Sequence, residues 1–136
     1  MQDSVGKASM IVANRDLSPA FKTGVVRVLS TAVLESLMEQ AAVSALDTAC
    51  YISGQTSVAH SMKLEHKRPS APGATVHAIA RVTDIEEDGI QFEIEAFDET
   101  GLVGQAVHTR VFVNPDDFER KCFDDSRLAL IQRDNS

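Results

Sequence analysis

Few side chains in this 136-residue sequence combine a reactive type with an informative position. Thr31 opens a long segment of helical periodicity. There the backbone N–H groups and positive end of a helix suit a polarised carbonyl oxygen, and the hydroxyl could orient a carboxylate or a water. Taken alone, Thr31 reads first as a plain helix cap. Glu39 lies roughly 150° from the centre of that helix's apolar stripe. Alone it is a solvated charge; enclosed by a partner surface, it suits general-base or nucleophilic work. Glu35, one turn earlier, faces the same broad direction. His66 ends an alternating strand just before Pro69, Pro72 and Gly73, at a rim where a ligand can reach it and an imidazole can relay protons near neutral pH. On the face of Met62 and Leu64 it reads also as a core-facing histidine.

Other groups carry weaker signals. Lys63, Lys67 and Arg68 form a small basic group around His66, read either as solvated surface or as a contact for phosphates. His108 and Arg110 alternate onto one strand face, as pocket lining or as a polar rim with a salt bridge. His60 and His66 stand about 20 Å apart along an extended strand, too far to share one metal ion. No other close His or Cys pairing occurs, so no metal site and no cofactor are expected. Cys50 and Cys122 form no CxxC pattern and are read as two reduced thiols, which fits a cytoplasmic protein.

The elements that must hold these groups follow from periodicity. Ser9–Ala13 reads as a short first strand, and Val25–Leu29 as another strand or the approach to the helix. Ser30–Ala49 is the clearest helix, with Val33, Leu34, Leu37, Met38, Ala41, Ala42, Ala45 and Leu46 in one stripe and Ser30 or Thr31 as cap. Beyond Gly54 the period changes to two. Thr56–Lys67 alternates, with Val58, His60, Met62, Leu64 and His66 on one face. Strands follow over Thr75–Ile85, Ile90–Phe97 and Leu102–Val113, with tight turns at Asp88-Gly89 and Asp98–Gly101. Asn114-Pro115-Asp116-Asp117 opens a short amphipathic C-terminal helix whose last residues look frayed.

At this length one domain is expected, spanning residues 1–136. Four consecutive strands form an antiparallel meander whose apolar face must be covered, and the long helix is the element large enough to cover it. The fold class is therefore α+β: a curved antiparallel sheet wrapped around one long central helix, the hotdog arrangement. One such layer leaves sheet surface and edge uncovered, so a homodimer is expected, with higher oligomers open. The 43% hydrophobic content is that of an ordinary globular chain. A net charge of −7 argues against a nucleic-acid partner. No apolar run reaches the roughly 20 residues of a membrane span, and Met1–Met10 has no signal-peptide order.

The stretch from Gly24 to Gly73 resembles thioesterases of the fluoroacetyl-CoA type. The landmarks are Ser30-Thr31, then Leu37-Met38-Glu39 with Ala41-Ala42, then Gly54-x-x-Ser57-Val58, and His66 followed by Pro72-Gly73. Phe92–Asp98 and Gly104-x-x-x-His108-x-Arg110 extend the likeness to about residue 113. The resemblance implies a catalytic set of Thr31, Glu39 and His66, with Glu39 preferred over Glu35. It leaves open whether Glu39 attacks directly or activates water. Two positions depart from the fluoroacetyl-specific pattern: Val25 stands where an aromatic lid residue is expected, and Ala59 where a glycine is. They imply an acyl group other than fluoroacetyl.

The function so implied is hydrolysis of a small or medium acyl-CoA to the free acid and coenzyme A. Val25, Ala59, Lys67, Arg68, His108 and Arg110 are the expected substrate contacts. A non-catalytic acyl-CoA sensor would use the same pocket and stays open. A hotdog hydratase or dehydratase fits less well: it pairs an Asp with a His five residues later, and none of His60, His66, His77 or His108 has that Asp.

Overall fold

The computed structural model describes residues 3–49 and 54–134; Cys50 lies outside them. The elements are β1 (Val5–Ile11), α1 (Thr31–Ala49), β2 (Thr56–His66), β3 (Thr75–Ile85), β4 (Gly89–Asp98), β5 (Gly101–Val113) and α2 (Pro115–Asp134), with two 3₁₀ turns between β1 and α1. The strands form one antiparallel sheet in the order β1-β3-β4-β5-β2. Its inner face packs on α1 through a core that includes Leu34, Met38, Ala41, Ala45, Val76, Ala80, Phe92 and Ile94. This is the helix-in-curved-sheet architecture expected from the period change after Gly54.

The alanines of α1 set how close the sheet comes. β1 crosses the helix so tightly that a Cβ at Gly6 would run into the backbone of Ala41 and Ala45. Small side chains on both elements permit this approach. The β4–β5 connection is a tight turn between Asp98 and Gly101, with Gly101 at φ 123°, where a side chain is disfavoured.

Four expectations change. The meander is three strands, not four. β2 lies at the far edge beside β5, and residues 67–74 carry the chain across to β3. This crossover is pinned where it passes the start of α1: Leu29 N–H donates to Ser70 O (2.9 Å) and Ser70 Oγ donates to Asp98 Oδ2 (2.7 Å). The first strand starts earlier, at Val5, and stops at Ile11. Residues 25–29 take the second of their two expected forms, the approach to α1, with one bridge between Leu29 and Leu17.

The alternation of β2 is also interrupted. Ala59 pairs with Arg110 and Ser61 with Thr109, leaving His60 as an extra residue in a β-bulge. Directly opposed residues share a face. Met62, Leu64 and His66, opposite His108, Ala106 and Gly104, therefore face inward, together with Ala59 and Ser57 from before the bulge. Val58 and His60 do not share that face.

Finally, the C-terminal helix is long rather than short. Asn114 caps it by accepting from Asp117 N–H (3.0 Å), Pro115 occupies its first turn, and the pairs Arg120–Asp117, Lys121–Asp125 and Arg127–Asp124 run along it. None of its residues is buried. Local capping and ion pairs, rather than core burial, hold α2 in the single chain. Cys122 is a free, exposed thiol on it.

Candidate active site

The sequence-predicted residues fall into two clusters on the inner side of the molecule. The first joins Thr31, the opening residue of α1, to His66, the last residue of β2: Thr31 Oγ1 and His66 Nδ1 are 2.8 Å apart. The cap is Ser30, a buried residue whose Oγ accepts from Ala32 N–H (3.2 Å) and whose carbonyl accepts from Leu34 N–H (3.1 Å). Thr31 is thus relieved of capping, and its hydroxyl is engaged with the imidazole. His66 Nε2 is buried without a hydrogen-bond partner among the described residues. An imidazole tied at one nitrogen and bare at the other is arranged to pass a proton. Burial holds its pKa below the ordinary value, against the opposing effect of a backbone hydrogen bond with Arg68. The helix fits closely over this point because β5 carries Gly104 opposite His66. A Cβ at Gly104 would sit 2.9 Å from Glu65 O and 3.1 Å from Leu34 Cδ2.

The second cluster lies about 12 Å further along α1, eight residues at the helical rise. Arg110 is almost buried and has an acceptor for nearly every N–H. Its Nη1 donates to Glu39 Oε1 (3.2 Å) and to His108 Nε2 (3.3 Å), its Nε to Ser57 Oγ (2.9 Å), and its Nη2 to Ser57 O (3.2 Å). His108 is fully buried, 6.1 Å from the Phe92 ring between centroids, and its Nδ1 is 2.7 Å from Ser61 O. Burial depresses its pKa and the Arg110 charge adds to that, while the Ser61 carbonyl, Glu39 and Glu35 oppose it. The Glu39 side chain keeps 34% of its exposure. It borders an open groove of ≈ 370 Å³ lined also by Ser36, Gln40, Val43 and Ser44.

Of the remaining expected contacts, Val25 is 90% exposed in the segment leading to α1, and Ala59 sits beside Arg110 on the inner face of β2. Lys67 pairs loosely with Glu65 (3.6 Å), and Arg68 donates to Thr100 O (2.5 Å). Lys63 does not join them. It projects from the outer face of the sheet, into a charged depression of ≈ 530 Å³ with Glu65, Arg81 and Glu93. Sequence reasoning missed Ser57 and the Ser61 carbonyl as partners of Arg110 and His108. Ser57 was visible as a motif residue, but its direction depends on the bulge. Among the described residues, no group of three His, Cys, Asp or Glu is placed to hold a metal ion.

Both imidazoles are kept neutral below the ordinary 6.5, whereas the unfolded chain takes up those protons near that value. The stability this represents is complete above the unfolded value and declines as pH falls toward the lowered native ones. Thermal melts between about pH 7.5 and about pH 5 should therefore show a falling melting temperature. A His108→Gln protein should lose part of that slope.

The comparisons with known proteins agree with the fold. A sequence profile of the fluoroacetyl-CoA-specific thioesterase family, FlK, matches residues 12–116. No curated protein sequence matches the chain. Among solved structures, the fluoroacetyl-CoA thioesterase FlK superposes with a TM-score of 0.83 at 19% identity, covering 91% of this chain and 96% of its own. A hypothetical protein of Thermus thermophilus, described as a thioesterase superfamily member, gives 0.83 at 20% identity, covering 98% and 96%. A variant of FlK in complex with fluoroacetate and CoA gives 0.77 at 22% identity, covering 87% and 98%. With the matched stretch spanning most of the sequence, the chain belongs to the fluoroacetyl-CoA-specific thioesterase family and is a thioester hydrolase of the hotdog fold.

Proposed function

We propose that the protein hydrolyses a small or medium acyl-CoA other than fluoroacetyl-CoA, at a site composed of Thr31 and His66 from one protomer and Glu39 from a second copy. The observation that carries this reading is the 2.8 Å Thr31–His66 pair at the start of α1, with Glu39 about 12 Å away on the same helix. Two copies of α1 running antiparallel about a twofold near Glu35–Ser36 bring each Glu39 to the other copy's Thr31–His66 pair. The sheet supports such pairing. α1 packs chiefly on β1 and β3 and touches β2 little, so the inner face of β2 at Ala59 is exposed, and its outer edge pairs with no strand among the described residues.

In this site the acyl carbonyl lies at the positive end of α1, which favours charge developing on its oxygen. Glu39 either takes a proton from water, which then attacks the carbonyl carbon, or attacks that carbon itself. In both routes the C–S bond breaks, and the thiolate of coenzyme A takes a proton relayed by His66 from the attacking water or from solvent. In the second route water then hydrolyses the acyl–Glu39 anhydride, releasing the free acid and restoring the carboxylate. An acyl adduct on Glu39 trapped by rapid quench would mark the direct attack. Lys67, loosely paired with Glu65 at 3.6 Å, is the better placed of the two basic residues near His66 for a CoA phosphate. Val25 and Ala59 border the acyl group and take it away from fluoroacetyl selectivity. Purified protein given a panel of acyl-CoAs should release free thiol from short or medium chains faster than from fluoroacetyl-CoA. Saturable binding of every member without thiol release would replace this reading with a sensor.

A further inference from the structure

We propose that His108 is a positioning residue, a neutral imidazole acceptor that fixes the Arg110 guanidinium and through it the carboxylate of Glu39. The inference rests on the role of Glu39 given above and extends it to a fully buried group. A backbone carbonyl can only accept, so the 2.7 Å contact to Ser61 O requires the proton of His108 to be on Nδ1. Nε2 is then a lone pair, and the Nη1 group 3.3 Å away donates into it. That same Nη1 donates to Glu39 Oε1. The two acceptors divide the two protons of one nitrogen, and their directions set the plane of the guanidinium. Ser57 holds the other side of the fork through Nε and Nη2.

The arrangement works only while the ring is neutral. A second proton would put an Nε2–H against a guanidinium, donor facing donor and charge facing like charge. The groups that face His108 from the packed elements are Arg110 on β5, Glu39 and Glu35 on α1, the Ser61 carbonyl on β2 and the Phe92 ring on β4. Two carboxylates favour the added proton; burial and Arg110 oppose it. The bulge at His60 belongs to the same device, because it sets the register at which the neighbouring Ser61 carbonyl meets the ring.

The test joins kinetics to nitrogen NMR. His108→Leu, which offers no acceptor, should lower kcat about 10- to 100-fold with little change in KM, the cost of a misaligned catalytic group. His108→Gln, whose side-chain oxygen can accept from Arg110, should recover part of it. In a Glu39→Gln background the His108→Leu change should cause no further loss. A loss that simply adds to that of Glu39→Gln overturns the positioning role and leaves the role of Glu39 standing. Full activity of Glu39→Gln alone removes both, and is recognisable because it needs no His108 variant. Should His108→Leu fail to fold, imidazole nitrogen spectra of the unaltered protein still decide. A proton on Nδ1 with bare Nε2 at neutral pH is expected, and a proton on Nε2 overturns the proposal.

Discussion

Co-expressing the Glu39→Gln and His66→Ala proteins is expected to restore hydrolysis that neither variant has alone. Each change by itself should lower kcat by about 10²–10⁴-fold, the range for loss of a positioned acid or base. Glu39→Gln keeps an oxygen for Arg110 Nη1 to bond, so its loss reports the missing charge rather than a disturbed cluster. His66→Ala removes the partner of the Thr31 hydroxyl and the bare Nε2 together. If each site draws His66 from one protomer and Glu39 from the other, a mixed dimer has one site with both replacements and one with neither. Random pairing then returns about a quarter of the normal activity. If both residues acted within one chain, a mixed dimer would contain no intact site and no activity would return. The measurement is thiol release from the unfractionated co-expressed protein, set against each parent.

The largest stability effect is expected at Gly6. Any Cβ there meets main-chain atoms of Ala41 and Ala45, which belong to the buried centre of α1 and cannot turn aside as a flexible side chain would. Gly6→Ala must therefore push β1 away from the helix, opening the packing around Ala8 and Met10 as well. A cost of about 3 kcal/mol or more follows from overpacking of this kind, a fall in melting temperature on the order of 10 °C. Gly24→Ala is the control, because its added methyl would have only Ser18 Cβ near it, at 3.7 Å. Equal melting temperatures for the two variants would show that β1 does not bear on α1 as described.

The sequence made the helix and the last three strands legible for a local reason. Their apolar residues recur at 3.6 or at 2, and Gly89 and Gly101 punctuate them at the turns. The path between the second and third strands was not legible, because residues 67–74 read as a break whether the next strand pairs beside the last or lies three strands away. The bulge was hidden for a different reason. Val58, Met62 and Leu64 alternate in the sequence as if the strand were regular, and only pairing with β5 shows that His60 falls out of step.

At the site, the order of Thr31, Glu39 and His66 suggested one constellation. Only the geometry separates a Thr31–His66 pair from a Glu39–Arg110–His108 cluster. Thr31 and Ser30 are adjacent hydroxyls, and nothing local says which one caps. The salt bridge between Glu39 and Arg110 joins residues 71 positions apart, beyond any pattern in a single segment.

The exposed C-terminal helix has a consequence for how this protein will report its own unfolding. α2 has 20 residues and α1 has 19, so about half of the α-helical circular-dichroism signal arises from a segment with no buried residue. An isolated helix of that length is marginal in water. Its amides should exchange with solvent at low local opening free energy, while those of α1 exchange only with global unfolding. A far-ultraviolet melt of the single chain would then begin well before the aromatic signal of Phe92 and its neighbours changes. A two-state fit to helicity alone would report too shallow a transition for the core around α1.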